Sequence, residues 1–141
     1  MTSDLLARYP GAQTYRFGDS AKLSAELLAL VRAGPKRATC AAMVDVLSGE
    51  ETLPQIGRYD IATTFDGRPA LVTRTMELRL VRFCDMPEDM ALAEGENDTL
   101  EGWRAGHEGY YRRLGIFDPE MELIWERFEV VEDLGAVDEL D

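Results

Sequence analysis

Apolar residues recur near the start of the chain at the period of an α-helix. Their spacings of four, three and one residues place them on one face: Leu23, Leu27, Leu30 and Val31. The pattern predicts a helix from Ser20 to Ala33, with Asp19 or Ser20 capping its first free amides. Gly34 is suited to close this helix in a left-handed conformation, and Pro35 prevents its continuation.

Short apolar or alternating runs predict four strands, over residues 39–46, 59–65, 69–83 and 121–131. The first run is rich in small and β-branched residues, which indicates a buried strand. Asp66-Gly67 is a strong hairpin signal between the second and third runs. The third run is long enough to curl or to contain a bulge. In the last run, Ile124, Glu126 and Phe128 share one face.

Two further helices fit between the last two strands. Pro87 suits the first turn of a short helix that continues through Ala93. Asp98-Thr99-Leu100-Glu101 has the form of a capping box and opens a longer helix that stops at Gly115. Strands that do not alternate regularly with helices predict an α+β fold, with a mixed sheet curled into a small barrel and helices at its side. With no repeat or linker, residues 1–141 are expected to form one domain.

The charge of the chain narrows the class of partner. The formal net charge is −12, from 27 acidic and 15 basic residues, so the chain as a whole repels a long polyanion. A local basic patch in the middle of the sequence stays open. The acidic tail at 132–141 is expected to be frayed and solvated. A small-molecule substrate therefore fits the charge better than long RNA does.

The apolar residues are also too scattered to indicate a membrane protein. No apolar stretch approaches the roughly 18 residues that span a bilayer, and the first residues lack the pattern of a secretion signal. Cys40 and Cys84 lie in apolar surroundings, which indicates two core thiols in a reduced, cytoplasmic protein. A bridge between them stays open.

The turn after the first predicted helix carries the first candidate chemistry. Gly34-Pro35-Lys36-Arg37-Ala38-Thr39 places a lysine and a threonine three residues apart at the start of a predicted strand. A desolvated lysine can act as a charge clamp or a general base, and a threonine hydroxyl can act as a nucleophile or a hydrogen-bond donor. Alternatively, Lys36 is a solvated loop residue and Thr39 an ordinary first residue of a strand.

A second candidate is the group of three acids around Gly95. In a dry site Glu94, Glu96 and Asp98 would repel one another and raise the pKa of at least one of them. They could also bind Mg²⁺ or Ca²⁺, although the spacing lacks the full pattern of a calcium-binding loop. A solvated loop with Asp98 as a helix cap is the alternative.

The predicted long helix supplies a third candidate. Trp103 and His107 are four residues apart on one face and form either a packing pair or a wall on which a flat base stacks. Tyr110 and Tyr111 have the same two interpretations. The single histidine excludes a conventional multi-histidine zinc centre. The chain also lacks a nucleophile-elbow motif and a glycine-rich phosphate loop.

Taken in order, these motifs resemble the ASCH domain family. The resemblance rests on Tyr15-Arg16-Phe17-Gly18-Asp19-Ser20, the hexad Gly34-x-Lys36-x-x-Thr39, Glu94-Gly95-Glu96, Trp103-x-x-x-His107 and the closing Glu126-Arg127-Phe128-Glu129-Val130-Val131. It covers about residues 15–131 and implies a PUA-like β-barrel. It also implies hydrolysis of the amide of N4-acetylated cytidine by a lysine–threonine–glutamate triad, without a cofactor.

The triad of the resemblance is carried over by motif. It falls on Lys36, Thr39 and Glu96, since Glu96 is followed by an asparagine and then by a helix start. The residues assigned to substrate binding are Glu94, Arg37, Trp103, His107 and Tyr110, and no metal ligand is assigned. Pro35 departs from the family, which more often has a basic or polar residue there. The implied partner is a small nucleoside rather than a membrane.

Two other functions of the same family stay open. In a module that binds single-stranded RNA, Trp103, Tyr110 or Tyr111 would stack on bases. Phosphates would then be contacted by Lys36, Arg37, Arg79 and Arg82. In a metal-dependent ribonuclease, Glu94 and Glu96 would hold the cation. Both alternatives require single-stranded RNA, whereas the hydrolase requires only a free nucleoside.

Overall fold

The computed structural model describes residues 2–139 and contains five helices and five strands in that range. The helices are α1 (Thr2–Arg8), α2 (Ala21–Ala33), α3 (Met43–Ser48), α4 (Glu88–Ala93) and α5 (Leu100–Arg113). The strands are β1 (Thr14–Arg16), β2 (Ala38–Ala42), β3 (Tyr59–Thr63), β4 (Pro69–Arg82) and β5 (Glu122–Asp133). The predicted α+β class is confirmed.

All five strands form one mixed sheet in the order β1-β3-β4-β5-β2. Strand β1 runs parallel to β3, and every other neighbouring pair is antiparallel. Among the described residues β1 and β2 do not pair, so the sheet is open and the predicted closed barrel is not formed. Both edge strands nevertheless line the same cleft. The outer edge of each of these strands has no neighbouring strand, and on β2 the carbonyl of Ala38 accepts a hydrogen bond from Lys36.

The long strand β4 shows why the sheet curls. Its pairing with β5 shifts register between Val72 and Thr73 and again between Thr75 and Glu77. Each irregularity bends the strand and increases its twist. The bulge predicted for this run is confirmed.

The interior is divided between two main groups of buried side chains. One packs α4 and α5 against β2 and β5, with Trp103, Tyr111 and Trp125 among its members. The other packs α2 against the sheet through Leu28, Val31 and Phe128. The cleft opens between α2, α5 and the two edge strands.

Helix α2 follows its sequence pattern closely. The side chain of Ser20 accepts a hydrogen bond from the amide of Leu23, so Ser20 rather than Asp19 is the cap. Gly34 closes the helix in the left-handed region, at a φ of 115°. The pattern missed α1 and the short edge strand β1, which carry few apolar residues.

The predicted strand over residues 39–46 is too long. Strand β2 ends at Ala42, and the following residues form helix α3, which buries none of its side chains. A short apolar run does not distinguish a strand from a helix by period alone. In this run Gly49 accepts a left-handed conformation that ends a helical turn.

The prediction of a frayed acidic tail is wrong for the residues up to 139. Strand β5 continues to Asp133, whose carboxylate accepts hydrogen bonds from the Arg32 guanidinium. Asp138 accepts hydrogen bonds from the Ser24 hydroxyl and the amide of Phe65. These pairings fix the tail against α2 and the hairpin, because cations and free donors there offset its negative charge. Residues 140–141 of the predicted tail lie outside the described range.

The structure bears on two expectations from the sequence, the burial of the two cysteines and the lack of a membrane-spanning segment. Cys40 is half-buried and Cys84 exposed, and both thiols are free, so the prediction of two core thiols fails for Cys84. Cys84 lies in the short 3₁₀ turn after β4, where the chain leaves the sheet. No helix within residues 2–139 combines the length and hydrophobicity needed to cross a membrane.

Candidate functional site

Two loops that are distant in the sequence, the Pro35–Lys36 turn and the segment around Gly95, pack against each other through their backbones. Gly95 has a φ of 73°, and a Cβ built on it would lie 2.5 Å from the backbone of Pro35 and Lys36. The amide of Arg37 donates to the carbonyl of Ala93 at 3.0 Å. Only a glycine allows this close approach together with a left-handed backbone. The contact places the Lys36 turn against the acidic segment.

Lys36 lies at the centre of this contact and is only 1% exposed. Its Nζ donates to Glu96 Oε2 at 2.7 Å, to the carbonyl of Ala38 at 2.8 Å and to the carbonyl of Glu94 at 3.2 Å. Three acceptors match the three protons of an ammonium group. The predicted meeting of the amine with Glu96 is therefore present, and the geometry suits the charged form of Lys36.

A cleft of about 450 Å³ lies beside this pair. Glu96 and Thr39 both line it, while Lys36 stays behind them. Within residues 2–139 the Thr39 hydroxyl has no hydrogen-bond partner, and no bond joins it to the Lys36 ammonium. The hydroxyl is thus available to a ligand in the cleft. The volume is within the range of about 300–1,000 Å³ that is usual for small-molecule sites.

Glu94 forms a second buried ion pair, two residues from Glu96. Its Oε2 accepts from the indole Nε1 of Trp103 at 2.8 Å, and its Oε1 lies 3.2 Å from Nε2 of His107. Burial by itself raises the pKa of Glu94, but the hydrogen bond and charge of His107 and the charge of Lys36 outweigh it and lower the pKa. The carboxylate is thus ionised although it is only 1% exposed.

His107 is held by its own helix as well as by Glu94. Its Nδ1 donates to the carbonyl of Trp103 at 2.9 Å, and its ring stacks on the Trp103 ring with centroids 4.3 Å apart. Burial alone would lower the pKa of His107, but the neighbouring Cys40 and Glu94 side chains raise it to about 11. The imidazole is therefore protonated and paired at neutral pH.

Cys40 also faces this cluster, and the sequence did not single it out. Its Sγ lies 3.9 Å from Glu94 Oε1 and 3.5 Å from the Tyr111 hydroxyl. Burial, followed by the charge of Glu94, raises the pKa of the Cys40 thiol. Its position one residue after Thr39 was the only available signal.

The residues predicted to bind substrate fall into two groups. Glu94, His107 and Tyr110 line the cleft, and burial raises the pKa of Tyr110 to about 12. Arg37 and Trp103 do not line it. The guanidinium of Arg37 donates to the carbonyls of Val31 and Lys36, so it fixes the turn.

The predicted stacking role of Trp103 conflicts with its position in the core. Trp103 is 0% exposed, and its face is covered by Phe83 and His107. Because no part of the ring reaches solvent, a base cannot stack on it. Its contribution to the site is the hydrogen bond that orients Glu94.

The three acids considered as a Mg²⁺ or Ca²⁺ site do not converge. Glu94 is buried, Glu96 is engaged by Lys36, and Asp98 is exposed. The cap of α5 is Thr99, whose hydroxyl accepts from the amide of Gly102 at 2.9 Å, rather than Asp98. The oxygen ligands of such a cation are therefore not assembled here.

The other end of the cleft contains residues that no sequence motif marked as candidates for the site. Glu126 is opposite Thr39 in the β2–β5 register and accepts a hydrogen bond from the Thr75 hydroxyl. Burial raises the pKa of Glu126. Tyr15 lines the same region, and its hydroxyl is 2.7 Å from that of Thr73. The sequence did contain one signal for this end of the cleft: Glu126 lies on the same strand face as the apolar Ile124 and Phe128.

Comparison with known proteins agrees with the family resemblance and with the fold. A model of the ASCH domain family matches residues 13–132. The ASCH domain structure from Lactobacillus crispatus is 26% identical with a TM-score of 0.75, and the match covers 92% of this chain and 86% of that one. A protein structure from Enterococcus faecalis is 29% identical with a TM-score of 0.79, covering 92% and 85%. No curated protein matches significantly. Because the family match runs from just before β1 nearly to the end of β5, the chain belongs to the ASCH domain family.

Proposed function

We propose that this protein is an amidohydrolase that removes the acyl group from the exocyclic amine of an N4-acylated cytosine nucleoside. The observation that carries the proposal is the pair formed by the buried Lys36 ammonium and Glu96, 2.7 Å apart, beside a free Thr39 hydroxyl in a cleft of about 450 Å³. These residue types and their order match the triad that the family resemblance implies.

The size and charge of the cleft favour a nucleoside over a polymer. A volume of this size suits a base and a sugar. The net charge of −12 opposes the binding of a chain of phosphates. Arg79 pairs with Glu77, and Arg82 pairs with Asp85 and Glu120, so the cations suggested for phosphates are already offset.

The geometry suggests a different distribution of roles from the one expected for a lysine base. All three protons of Lys36 are donated in hydrogen bonds, so we assign the role of general base to Glu96. Lys36 positions the Glu96 carboxylate and supplies the positive charge beside it. The Thr39 oxygen attacks the acyl carbonyl, and its proton passes to Glu96. Glu96 then returns that proton to the departing exocyclic amine as the C–N bond breaks.

The second half of the reaction restores the enzyme. Water attacks the Thr39 ester with Glu96 again accepting a proton, and the ester bond breaks to release the carboxylic acid. The proton returns to the Thr39 oxygen. No electron donor or acceptor is needed, because both steps are substitutions at the acyl carbon.

The far end of the cleft offers groups for recognition of the base. Burial raises the pKa of Glu126, so its carboxyl is protonated more readily than a solvated one, and a protonated carboxyl can both donate and accept a hydrogen bond. A cytosine ring presents both kinds of group along one edge. Because Glu126 is opposite Thr39 in register, a base held there places its exocyclic nitrogen near the hydroxyl.

The test is a chromatographic assay of N4-acetylcytidine with the purified protein and, in parallel, of a single-stranded RNA. We expect cytidine and acetate from the nucleoside, no cleavage of the RNA, and the same activity in the presence of a chelator. Replacing Glu96 with Gln removes the base and is expected to lower turnover roughly a hundred- to ten-thousand-fold. Thr39→Val is expected to lose turnover as well.

Thr39→Ser is the matched control, because it keeps the hydroxyl and is expected to retain measurable turnover. Wild-type protein that leaves N4-acetylcytidine intact would contradict the proposed reaction. Near-normal turnover in Thr39→Val would contradict the assignment of the nucleophile. RNA cleavage that depends on a divalent cation would favour the ribonuclease instead.

A further inference from the structure

Three potential metal ligands converge in the cleft next to the proposed triad. They are Sγ of Cys40, Oε1 of Glu94 and Nε2 of His107, and these atoms all lie within 4.8 Å of one another. Oε1 lies 3.2 Å from Nε2 and 3.9 Å from Sγ. In a tetrahedral zinc site, bond lengths of about 2.0–2.3 Å place ligand atoms roughly 3.3–3.8 Å apart. The observed separations are close to that range.

The side chains of Glu94 and His107 are each oriented by a hydrogen bond through the atom that faces away from the three ligand atoms. The Nδ1 of His107 donates to the backbone carbonyl of Trp103, so Nε2 is the nitrogen that faces the cluster. The other oxygen of Glu94 accepts from the Trp103 indole. Such outer bonds to a histidine and a carboxylate are the usual support of a metal centre. One buried tryptophan supplies both of them.

We propose that Cys40, Glu94 and His107 bind one Zn²⁺ ion, or a divalent cation of similar preference, with a fourth coordination position open to the cleft. One sulfur, one imidazole nitrogen and one carboxylate oxygen suit zinc and not Mg²⁺ or Ca²⁺, which take oxygen ligands. All three residues line the cleft, so water or a ligand oxygen can reach the fourth position.

The surroundings tolerate the added charge. Zinc binds the lone pair of a neutral imidazole and a thiolate, so its binding displaces the Nε2 proton of His107 and the Sγ proton of Cys40 to solvent. The resulting thiolate and the Glu94 carboxylate together offset the two positive charges of the ion. The Lys36 ammonium lies 4.0 Å from the same Glu94 oxygen, but its three hydrogen bonds go to Glu96 and to two backbone carbonyls. Lys36 therefore does not occupy the position of the metal, and Glu96 offsets its charge.

The inference goes beyond the proposed hydrolysis and does not rest on it. None of the three ligands belongs to the set of Lys36, Thr39 and Glu96. Metal binding and release of acetate are measured separately, so either can fail while the other holds.

The experiment titrates the chelator-treated full chain with Co²⁺, which absorbs strongly when a thiolate binds it, and then with Zn²⁺ by calorimetry. We expect about one ion of either metal per chain and a sulfur-to-cobalt charge-transfer absorption. The absorption is expected to disappear in Cys40→Ser. His107→Gln, which keeps the side chain polar, is expected to weaken Zn²⁺ binding by at least about tenfold.

Cys84→Ser is the matched control, because Cys84 is the other thiol and is exposed in a different part of the fold. It is expected to leave the cobalt spectrum and the zinc affinity unchanged. Thermal unfolding of each variant without metal shows whether it is folded. If Cys40→Ser does not fold, His107→Gln decides the question. The proposal is overturned by wild-type protein without the cobalt absorption, by an absorption that persists in Cys40→Ser, or by one that is lost in Cys84→Ser. Unchanged zinc affinity in His107→Gln would also overturn it.

Discussion

The two ends of the cleft hold buried or half-buried glutamates in opposite surroundings. At one end Glu94 faces His107 and Lys36, and Glu96 is bonded to Lys36. At the other end the direct hydrogen-bond partner of Glu126 is the Thr75 hydroxyl. The pKa of Glu94 is lowered and that of Glu126 is raised. The pKa of the same residue type is therefore shifted downward at one end and upward at the other.

The difference shows that the partner decides the state of a buried carboxyl. Removal from water raises the pKa in both cases, because the ionised form loses its hydration. Only nearby cations with hydrogen bonds to the carboxylate can reverse the direction. One end of the cleft is thus suited to proton transfer and ion binding, and the other to hydrogen bonding with an uncharged ring.

The largest effect on stability is expected from Glu94→Ala. This change leaves the His107 and Lys36 charges and the Trp103 indole without their buried partner. Breaking a buried ion pair from one side typically costs about 3–5 kcal/mol. We expect the free energy of unfolding, measured by urea titration at pH 7 with a chelator present, to fall by about that amount.

Glu126→Gln is the matched control for this change at the other end. A neutral amide replaces a carboxyl whose charged form is disfavoured by burial, so we expect almost no loss at pH 7. A loss as large as that of Glu94→Ala would remove the distinction between the two ends.

A smaller loss of stability is expected from Gly95→Ala, which tests how the charged end is assembled. Its Cβ would meet the backbone of Pro35 and Lys36 at 2.5 Å. We expect about 1–3 kcal/mol from overpacking and about 1–2 kcal/mol from the left-handed backbone. Turnover of N4-acetylcytidine is expected to fall too, because the Lys36–Glu96 pair spans this contact.

Gly34→Ala is the matched control, since Gly34 is also left-handed but a Cβ there meets nothing within 4 Å. We expect only the backbone part of the cost in thermal or urea unfolding. Equal losses in the two variants would show that the close approach at Gly95 contributes nothing.

The smallest effect concerns the dependence of stability on pH. The folded pKa of Glu126 is raised above the unfolded value of 4.5. Its contribution to stability is therefore fully present below pH 4.5 and is lost as the pH rises through the folded pKa. We expect Glu126→Gln to gain stability relative to wild type as the pH rises from 4 to 7. A relative stability that does not change with pH would contradict the raised pKa of this carboxyl.

Local patterns in the sequence predicted the elements that depend only on near neighbours. Helix α2 has its apolar stripe, its Ser20 cap and its Gly34 end within one continuous segment. The hairpin between β3 and β4 follows from Asp66-Gly67, and the bulges of β4 follow from its length. The meeting of Lys36 with Glu96 was predicted only by the family resemblance, because sixty positions separate the two residues.

The errors occur where packing decides between local alternatives. The run after Ala42 turns into a helix on the surface, although its composition also suits a strand. Trp103 has the spacing of a binding wall, yet its side chain is covered by its neighbours. Cys40 and Glu126 enter the cleft because β2 pairs with β5, and that pairing of distant strands is not indicated by any local pattern.

The sequence by itself determined the class of the fold and helix α2 with its two ends, and its resemblance to a family supplied the pairing of Lys36 with Glu96. Only the tertiary structure decided that Trp103 supports Glu94, that Cys40 and His107 join that glutamate, and that Glu126 is opposite Thr39. The physical reason is that periods and caps act within a few residues of chain. The state of a buried acid or thiol depends instead on which distant charges and hydroxyls the fold brings within hydrogen-bonding distance.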